Sequence, residues 1–321
     1  MVLAGLEIAF YFSKSVLPID LLPVYPKWPV DLFSPVQYLP WVVLIVVIGW
    51  LWTKRESWGK HVLLGLGFFL VNLTPCPGFI SPPNMGYAWV MDHFLYLPII
   101  GLIGLVVAGV AHLEKQLAPL LRPAGMGVMA AIAVLLVWES HSYAAIYLDQ
   151  GKLWTYTLQG NPASYVAHNN LGLVYLNSGR LPQAIDQFEA ALKIKPDYAF
   201  AHNGLANALF FSGRTAEAID HYHEALRIDP NYPEAHNGLG NALFQTGHLP
   251  EGRAECERAV QLKPSYVEAH CTLGLILAQQ GYLPAAIVQF ETAQRLNPND
   301  TRIPPILDSL RAQLQNSPPQ K

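Results

Sequence analysis

Four histidines, His168, His202, His236 and His270, stand 34 residues apart. Imidazole nitrogens can ligate a metal, so a regular row of them invites that reading. Distance argues against it. Packed neighbouring helices lie ~8–10 Å apart, whereas a ligating nitrogen sits ~2 Å from zinc. One ion is out of reach of rungs spaced that way, and the row reads as packing; no metal and no cofactor is expected. A second row follows directly, Asn169, Asn203 and Asn237, with Asn207 and Asn241 one helical turn further on. A spacing of four puts these amides on one helix face. Each amide offers both donors and acceptors, so a ladder of them can hold the backbone of an extended peptide whatever its side chains. Asn169, Asn203, Asn207, Asn237 and Asn241 are therefore the candidate peptide-binding residues, against the plainer reading of a solvated face. Phe210, Phe211 and Phe244 could add apolar contacts or belong to a core. Elsewhere, Asp92 opens a long apolar stretch. An acid there is costly if buried and often functional, or else it rests at the interface in water. Cys76, Cys256 and Cys271 are too few and too scattered for a disulfide framework or a zinc site.

The elements that must position the two rows repeat with the same beat. Pro162, Pro196, Pro230, Pro264 and Pro298 are 34 residues apart, as are Gly179, Gly213, Gly247 and Gly281. Leu171, Leu205, Leu239 and Leu273 keep the period, followed by small residues at Gly172, Ala206, Gly240 and Gly274. Ala191, Ala225, Ala259 and Ala293 do the same, with Phe188, Tyr222, Cys256 and Phe290 just before them. This period and pattern are the signature of the tetratricopeptide repeat (TPR), a helical hairpin. The glycine opens the turn between helices A and B, and the proline ends helix B. One hairpin cannot bury its apolar face alone, so neighbours stack into a superhelix. Repeats are expected at 165–198, 199–232, 233–266 and 267–300, with a polar capping helix over Arg302–Gln315 inside 301–321. Residues 143–164 form a connecting helix or partial repeat, in which Trp154 falls one period before Phe188. An asparagine ladder of this kind is similar to the one in the superhelical repeats of O-linked N-acetylglucosamine transferases.

Residues 1–142 differ in kind. They hold seven of the 20 basic residues, seven of the 23 acidic ones and seven of the eight tryptophans. A spanning helix needs about 20 mainly apolar residues. After an interfacial or extracytoplasmic segment over 1–35, four spans are expected within 36–142: Val36–Trp52, His61–Leu73, His93–Leu113 and Gly125–Trp138. The second is short enough to be a buried or interfacial helix instead. Lys54, Arg55 and Lys60 follow the first span, Lys115 and Arg122 follow the third, and Pro75–Met91 carries no Lys or Arg. The positive-inside rule then puts the repeats outside the cytoplasm, in the periplasm or lumen. The fold class expected is all-α: a polytopic transmembrane helical domain followed by a TPR α-solenoid. A net charge of −3 gives no basic surface for nucleic acid.

The run Met91-Asp92-His93-Phe94-Leu95-Tyr96-Leu97-Pro98 and its Gly101-containing continuation resemble an element of the transmembrane and TPR proteins, which are O-mannosyltransferase-like. Ser13–Pro18 running to Tyr25-Pro26, Leu153-Trp154, Asn161-Pro162 and His168–Gly172 are similar to that family too. The resemblance implies the C-terminal part of that membrane domain, without its N-terminal part. His93 stands where the family has arginine, and no adjacent acidic pair precedes the repeats. Transfer to a hydroxyl needs a base and electrostatic help for the leaving phosphate. The sequence therefore points first to a membrane-anchored scaffold that binds a protein or peptide in its groove. The alternative is the C-terminal half or a subunit of a lipid-phosphosugar-dependent O-glycosyltransferase, with Asp92, His93 and Tyr96 as its candidate catalytic residues and a lipid-linked sugar as donor.

Overall fold

The computed structural model describes residues 34–56, 59–73 and 148–316, with isolated helical positions at 9, 123, 124, 127, 131, 134, 138 and 146. Asp92, His93 and Tyr96 lie outside the described residues, as do the third expected span and most positions of the fourth. The chain divides into two compact units, Met1–Ala167 and His168–Lys321.

In the first unit, a 3-10 turn at Pro35–Tyr38 leads into α1 (Leu39–Thr53). Pro40 sits in the first turn, where its missing N–H costs no intrahelical bond. Pro35–Thr53 is 19 residues and apolar all round, long enough to cross a membrane. Among the described residues it is the one helix that meets that length and composition. Apart from buried Leu51 its side chains are largely exposed, Val36, Ile45, Val46 and Trp52 among them. A helix without a polar face belongs in an apolar surround. A tight turn closes it, where Gly59 donates to the Lys54 carbonyl at 3.1 Å, and α2 (Gly59–Leu73) packs back on α1. A Cβ at Gly59 would lie 2.8 Å from the Lys54 carbonyl oxygen, so only glycine fits that reversal. At 15 residues α2 is shorter than a full span. Further along, α3 (Gln150–Gly160) is capped by Asp149, whose side chain accepts from the Lys152 N–H at 3.1 Å.

The repeats form α4 (Tyr165–Asn177) and α5 (Leu181–Ile194), α6 (Ala199–Phe211) and α7 (Thr215–Ile228), α8 (Pro233–Gln245) and α9 (Leu249–Leu262), and α10 (Val267–Gln279) and α11 (Leu283–Leu296). Each hairpin turns on a left-handed glycine, Gly179, Gly213, Gly247 or Gly281, with φ of 71–84°. The residue after the glycine donates back to a carbonyl five residues earlier, as Arg214 does to Leu209 at 2.9 Å. That bond caps the free carbonyls of helix A. Fully buried rings then wedge helix B against helix A. A Cβ at Gly172 would come within 2.8 Å of Phe188, and one at Gly274 within 2.7 Å of Phe290. The ring also reaches the next repeat: Gly204 faces Phe188 and Gly238 faces Tyr222 just as closely. Phe188 thus has glycine on both sides, whereas Tyr222 has Ala206 in its own repeat and Gly238 in the next. The last helix, α12 (Ile303–Asn316), lays Ile303, Leu307 and Leu310 on Leu273, Leu277 and Phe290, and turns its polar face outward. A solenoid end needs such a cap.

Candidate functional site

Among the described residues, consecutive A helices touch directly, α6 on α8 and α8 on α10, more closely than any two B helices approach one another. The A helices therefore line the inner curve of the stack, and the residues that decide its chemistry are theirs.

The histidine row faces the seam between helices A and B. Nε2 of His202, His236 and His270 lies 2.9, 3.1 and 3.0 Å from the carbonyl oxygens of Pro196, Pro230 and Pro264. A carbonyl only accepts, so Nε2–H donates. The periodic proline thus ends helix B and offers its carbonyl as an anchor for the next repeat. Nδ1 turns to the residue 19 positions on: Gln187 at 2.8 Å, His221 at 3.1 Å, Glu255 at 2.6 Å and Gln289 at 2.7 Å. Each histidine pins A to B. Burial lowers the His236 pKa, but the hydrogen bonds to Glu255 and Pro230 outweigh it and raise the value overall. At the rung before, burial and then the positive charge of His202 hold the His221 pKa down. Two Nδ1 atoms 3.1 Å apart share one hydrogen, so both rings cannot be protonated in place.

The asparagines divide into two rows with different surroundings. Asn169 and Asn203 are 5% and 7% exposed. The Asn203 amide nitrogen donates to the Tyr232 hydroxyl at 3.3 Å, and Asn237 bonds Tyr266 in the same manner. These tyrosines are the N-caps of α8 and α10, so this row ties one repeat to the next. Burial pushes the Tyr266 hydroxyl up to about 12 and Tyr232 higher, so both stay neutral donors and acceptors. The side-chain oxygens of Asn169, Asn203 and Asn237 are buried and have no hydrogen-bond partner. A buried acceptor left so calls for a donor. Asn207 and Asn241, a turn further on, are half-buried. The Asn207 oxygen accepts from the Tyr222 hydroxyl at 2.6 Å, which leaves its NH2 to present. Cys256 occupies the corresponding place in the next repeat, so Asn241 meets no tyrosine there.

Apolar exposure frames the asparagines. Leu173 and Leu275 occupy the Asn207 position in the first and fourth repeats and are 37% and 41% exposed. Phe200 is exposed beside Tyr198 and Tyr232, with ring centres 5.6 and 5.2 Å away. Phe211 is exposed at the end of α6, edge-on to half-buried Phe210, and Phe244 is half-buried in α8. The 34-residue alignment could have exposed the tyrosine row, since Tyr198, Tyr232 and Tyr266 share that period. It gave no sign of the Asn207–Tyr222 bond, which occurs once.

Family models described as TPR repeat and tetratricopeptide repeat match residues 172–213 and 206–247, and 267–300. Protein O-mannosyl-transferase TMTC1 of Mus musculus is 29% identical over 143 residues, covering 44% of this chain and 14% of that protein. The match thus spans about a seventh of that relative's length. Among solved structures, the thermophilic TPR protein TTC0263 of Thermus thermophilus is 20% identical, with a TM-score of 0.45, over 57% of this chain and 96% of that one. Pseudomonas aeruginosa PilF is 28% identical, with a TM-score of 0.45, over 47% and 69%. YrrB, a TPR protein described as having an unusual peptide-binding site, is 22% identical, with a TM-score of 0.43, over 52% and 86%.

Proposed function

We propose that this chain is a membrane-anchored TPR scaffold that holds an extended polypeptide along the inner face of its A helices. The TPR repeats make the C-terminal region a protein-interaction scaffold. The observation that carries the finer reading is the pair of half-buried amides Asn207 and Asn241, one period apart on the A helices beside the buried row Asn169, Asn203 and Asn237. Amides in such a row suit the alternating donors and acceptors of a peptide backbone. Anchoring is supported by the outward-facing apolar helix Pro35–Thr53. In this reading the protein is multi-pass and the repeats lie outside the cytoplasm, as the Lys/Arg distribution of its loops suggests. Replacing Asn203, Asn207, Asn237 and Asn241 together with alanine tests the surface. Binding partners that co-purify with the native chain in detergent should be lost, and their undiminished recovery would refute the ladder. Digestion of the repeats by protease in spheroplasts or intact vesicles tests the side.

The 29% identity to mouse TMTC1 favours a second reading, a subunit or C-terminal half of an O-glycosyltransferase whose repeats present the acceptor. Asp92, His93 and Tyr96 are the residues to replace. Sugar transfer from a polyprenyl-linked donor, abolished by those changes, would establish it.

A further inference from the structure

We infer that the inner groove takes a carboxylate-poor extended segment of roughly eight to ten residues that is apolar at both ends; this rests on the peptide-binding reading above. The first support is charge. Helices α4, α6, α8 and α10 contain no Lys or Arg, while all four B helices α5, α7, α9 and α11 carry at least one. The acids on the A helices are Glu234 and Glu268. Lys263 pairs with Glu234 at 2.7 Å, so that pair is neutral, and Glu268 is exposed. The His236 charge is spent on Glu255. The inner face therefore offers an acidic ligand no unpaired cation from its helices and one exposed carboxylate to repel it.

The second support is the register of one column of side chains. Leu173, Asn207, Asn241 and Leu275 hold the same place in successive A helices. Three steps of ~8–10 Å separate the outer two, about 24–30 Å in all. An extended chain rises ~3.3 Å per residue, so that distance takes roughly seven to nine steps, a segment of about eight to ten residues. The exposed leucines at the ends are apolar anchors. Between them Asn207 presents an NH2, since its oxygen is held by Tyr222, and so reads a backbone carbonyl. Asn241 has both its donor and its acceptor to offer the next peptide unit. The ends choose side chains and the middle grips backbone, a division that gives selectivity at two positions only.

The test is to pan a phage-displayed library of random twelve-residue peptides on the immobilised full-length chain in detergent. Enriched peptides should carry two apolar side chains seven to nine positions apart and few Asp or Glu. A synthetic peptide from that set should lose about tenfold in affinity or more with Leu173→Asn or Leu275→Asn, the loss of one leucine contact. Asparagine already fills this place in the second and third repeats, so both variants should fold. Affinity should hardly change with salt, because no ion pair drives it. Enrichment of acidic peptides, or affinity indifferent to both leucine changes, would overturn the inference while leaving the groove as the binding site. If nothing enriches on the native chain beyond what enriches on Asn207→Ala/Asn241→Ala, the peptide-binding reading fails and takes this inference with it.

Discussion

The second and third repeats present almost the same inner helix, AHNGLANALF at 201–210 and AHNGLGNALF at 235–244, against very different outer ones. The outer helix supplies His221 and Tyr222 in one case and Glu255 and Cys256 in the other. Identical histidines thereby meet a second imidazole, whose own pKa is lowered, at one rung and a carboxylate that raises the His236 pKa at the next. Equivalent asparagines become a half-committed donor and an uncommitted amide. The outer helix, which does not face the groove, sets what the groove can offer. Where Tyr222 gives way to Cys256, Gly240 and Gly252 let the helices close in, and a Cβ at Gly252 would stand 2.9 Å from the Gly240 carbonyl.

The contrast is broken most forcefully at that wedge. Tyr222 is 1% exposed, and truncating a buried aromatic ring costs about 3–5 kcal/mol. Tyr222→Ala should therefore lower the melting temperature sharply, whereas Cys256→Ala removes one sulfur and should cost about 1 kcal/mol. Thermal unfolding by circular dichroism compares the two. Equal losses would mean that the repeats do not depend on their wedges in the way described.

A smaller effect separates the two lower asparagines. Asn207→Ala leaves the buried Tyr222 hydroxyl unpaired, at a cost of about 1–3 kcal/mol. Asn241→Ala should stay within about 0.5 kcal/mol. In a Tyr222→Phe background the cost of Asn207→Ala should nearly vanish, which a double-mutant cycle reads directly. A cost that persists there would place the role of Asn207 elsewhere.

Next in size is the charged rung. His236 has a raised pKa in the folded chain. Its stabilisation is complete below the free value of about 6.5 and is lost as pH rises through the higher folded value. Glu255→Gln gives this rung the amide found at Gln187 and Gln289. The change should cost about 1 kcal/mol at pH 6, for a pair that water partly reaches, and almost nothing at pH 9. Melting temperatures at the two pH values decide it, and a loss independent of pH would mean that packing, and not charge, joins the pair.

What could be read in the residues alone follows from how local the cause is. Gly213 turns the chain because of its own φ, Pro230 ends its own helix, and Ala225 packs because it is small, so the frame of four hairpins was visible at once. The apolar underside of Ile303–Asn316, made by Ile303, Leu307 and Leu310, is hidden by the polar residue count of that stretch. The site was only half legible. A spacing of four put Asn203 and Asn207 on one face, but their exposure depends on Tyr232, 29 residues after the first, and Tyr222, 15 after the second. Neither partner is local, and only the fold makes them neighbours. The histidine row was read as packing without its partners, because the residue 19 positions on becomes a neighbour only when helix B folds back. In the apolar half, hydropathy located Pro35–Thr53.

The gentlest perturbation is at the other histidine rung, and its sign is opposite. The His221 pKa is lowered by burial and by His202, against Asp220, Glu189 and Glu217, which pull it up. A histidine that resists protonation when folded stabilises fully above about pH 6.5 and loses that contribution as pH falls further. His221 is half-buried, so the loss by pH 5.5 should be only about 0.5 kcal/mol. Local hydrogen exchange suits an effect this size, since a stacked array need not melt as one unit. Amides of α6 and α7 should exchange faster at pH 5.5 than at pH 7.5 once intrinsic rates are divided out, measured beside those of α10 and α11, where His270 meets Gln289. His221→Gln gives the second rung the same partner and should abolish the difference. If the acid-induced loosening of α6 and α7 survives that replacement, the facing imidazoles are not its source, and the contrast between the two rungs reduces to the glutamate at one of them.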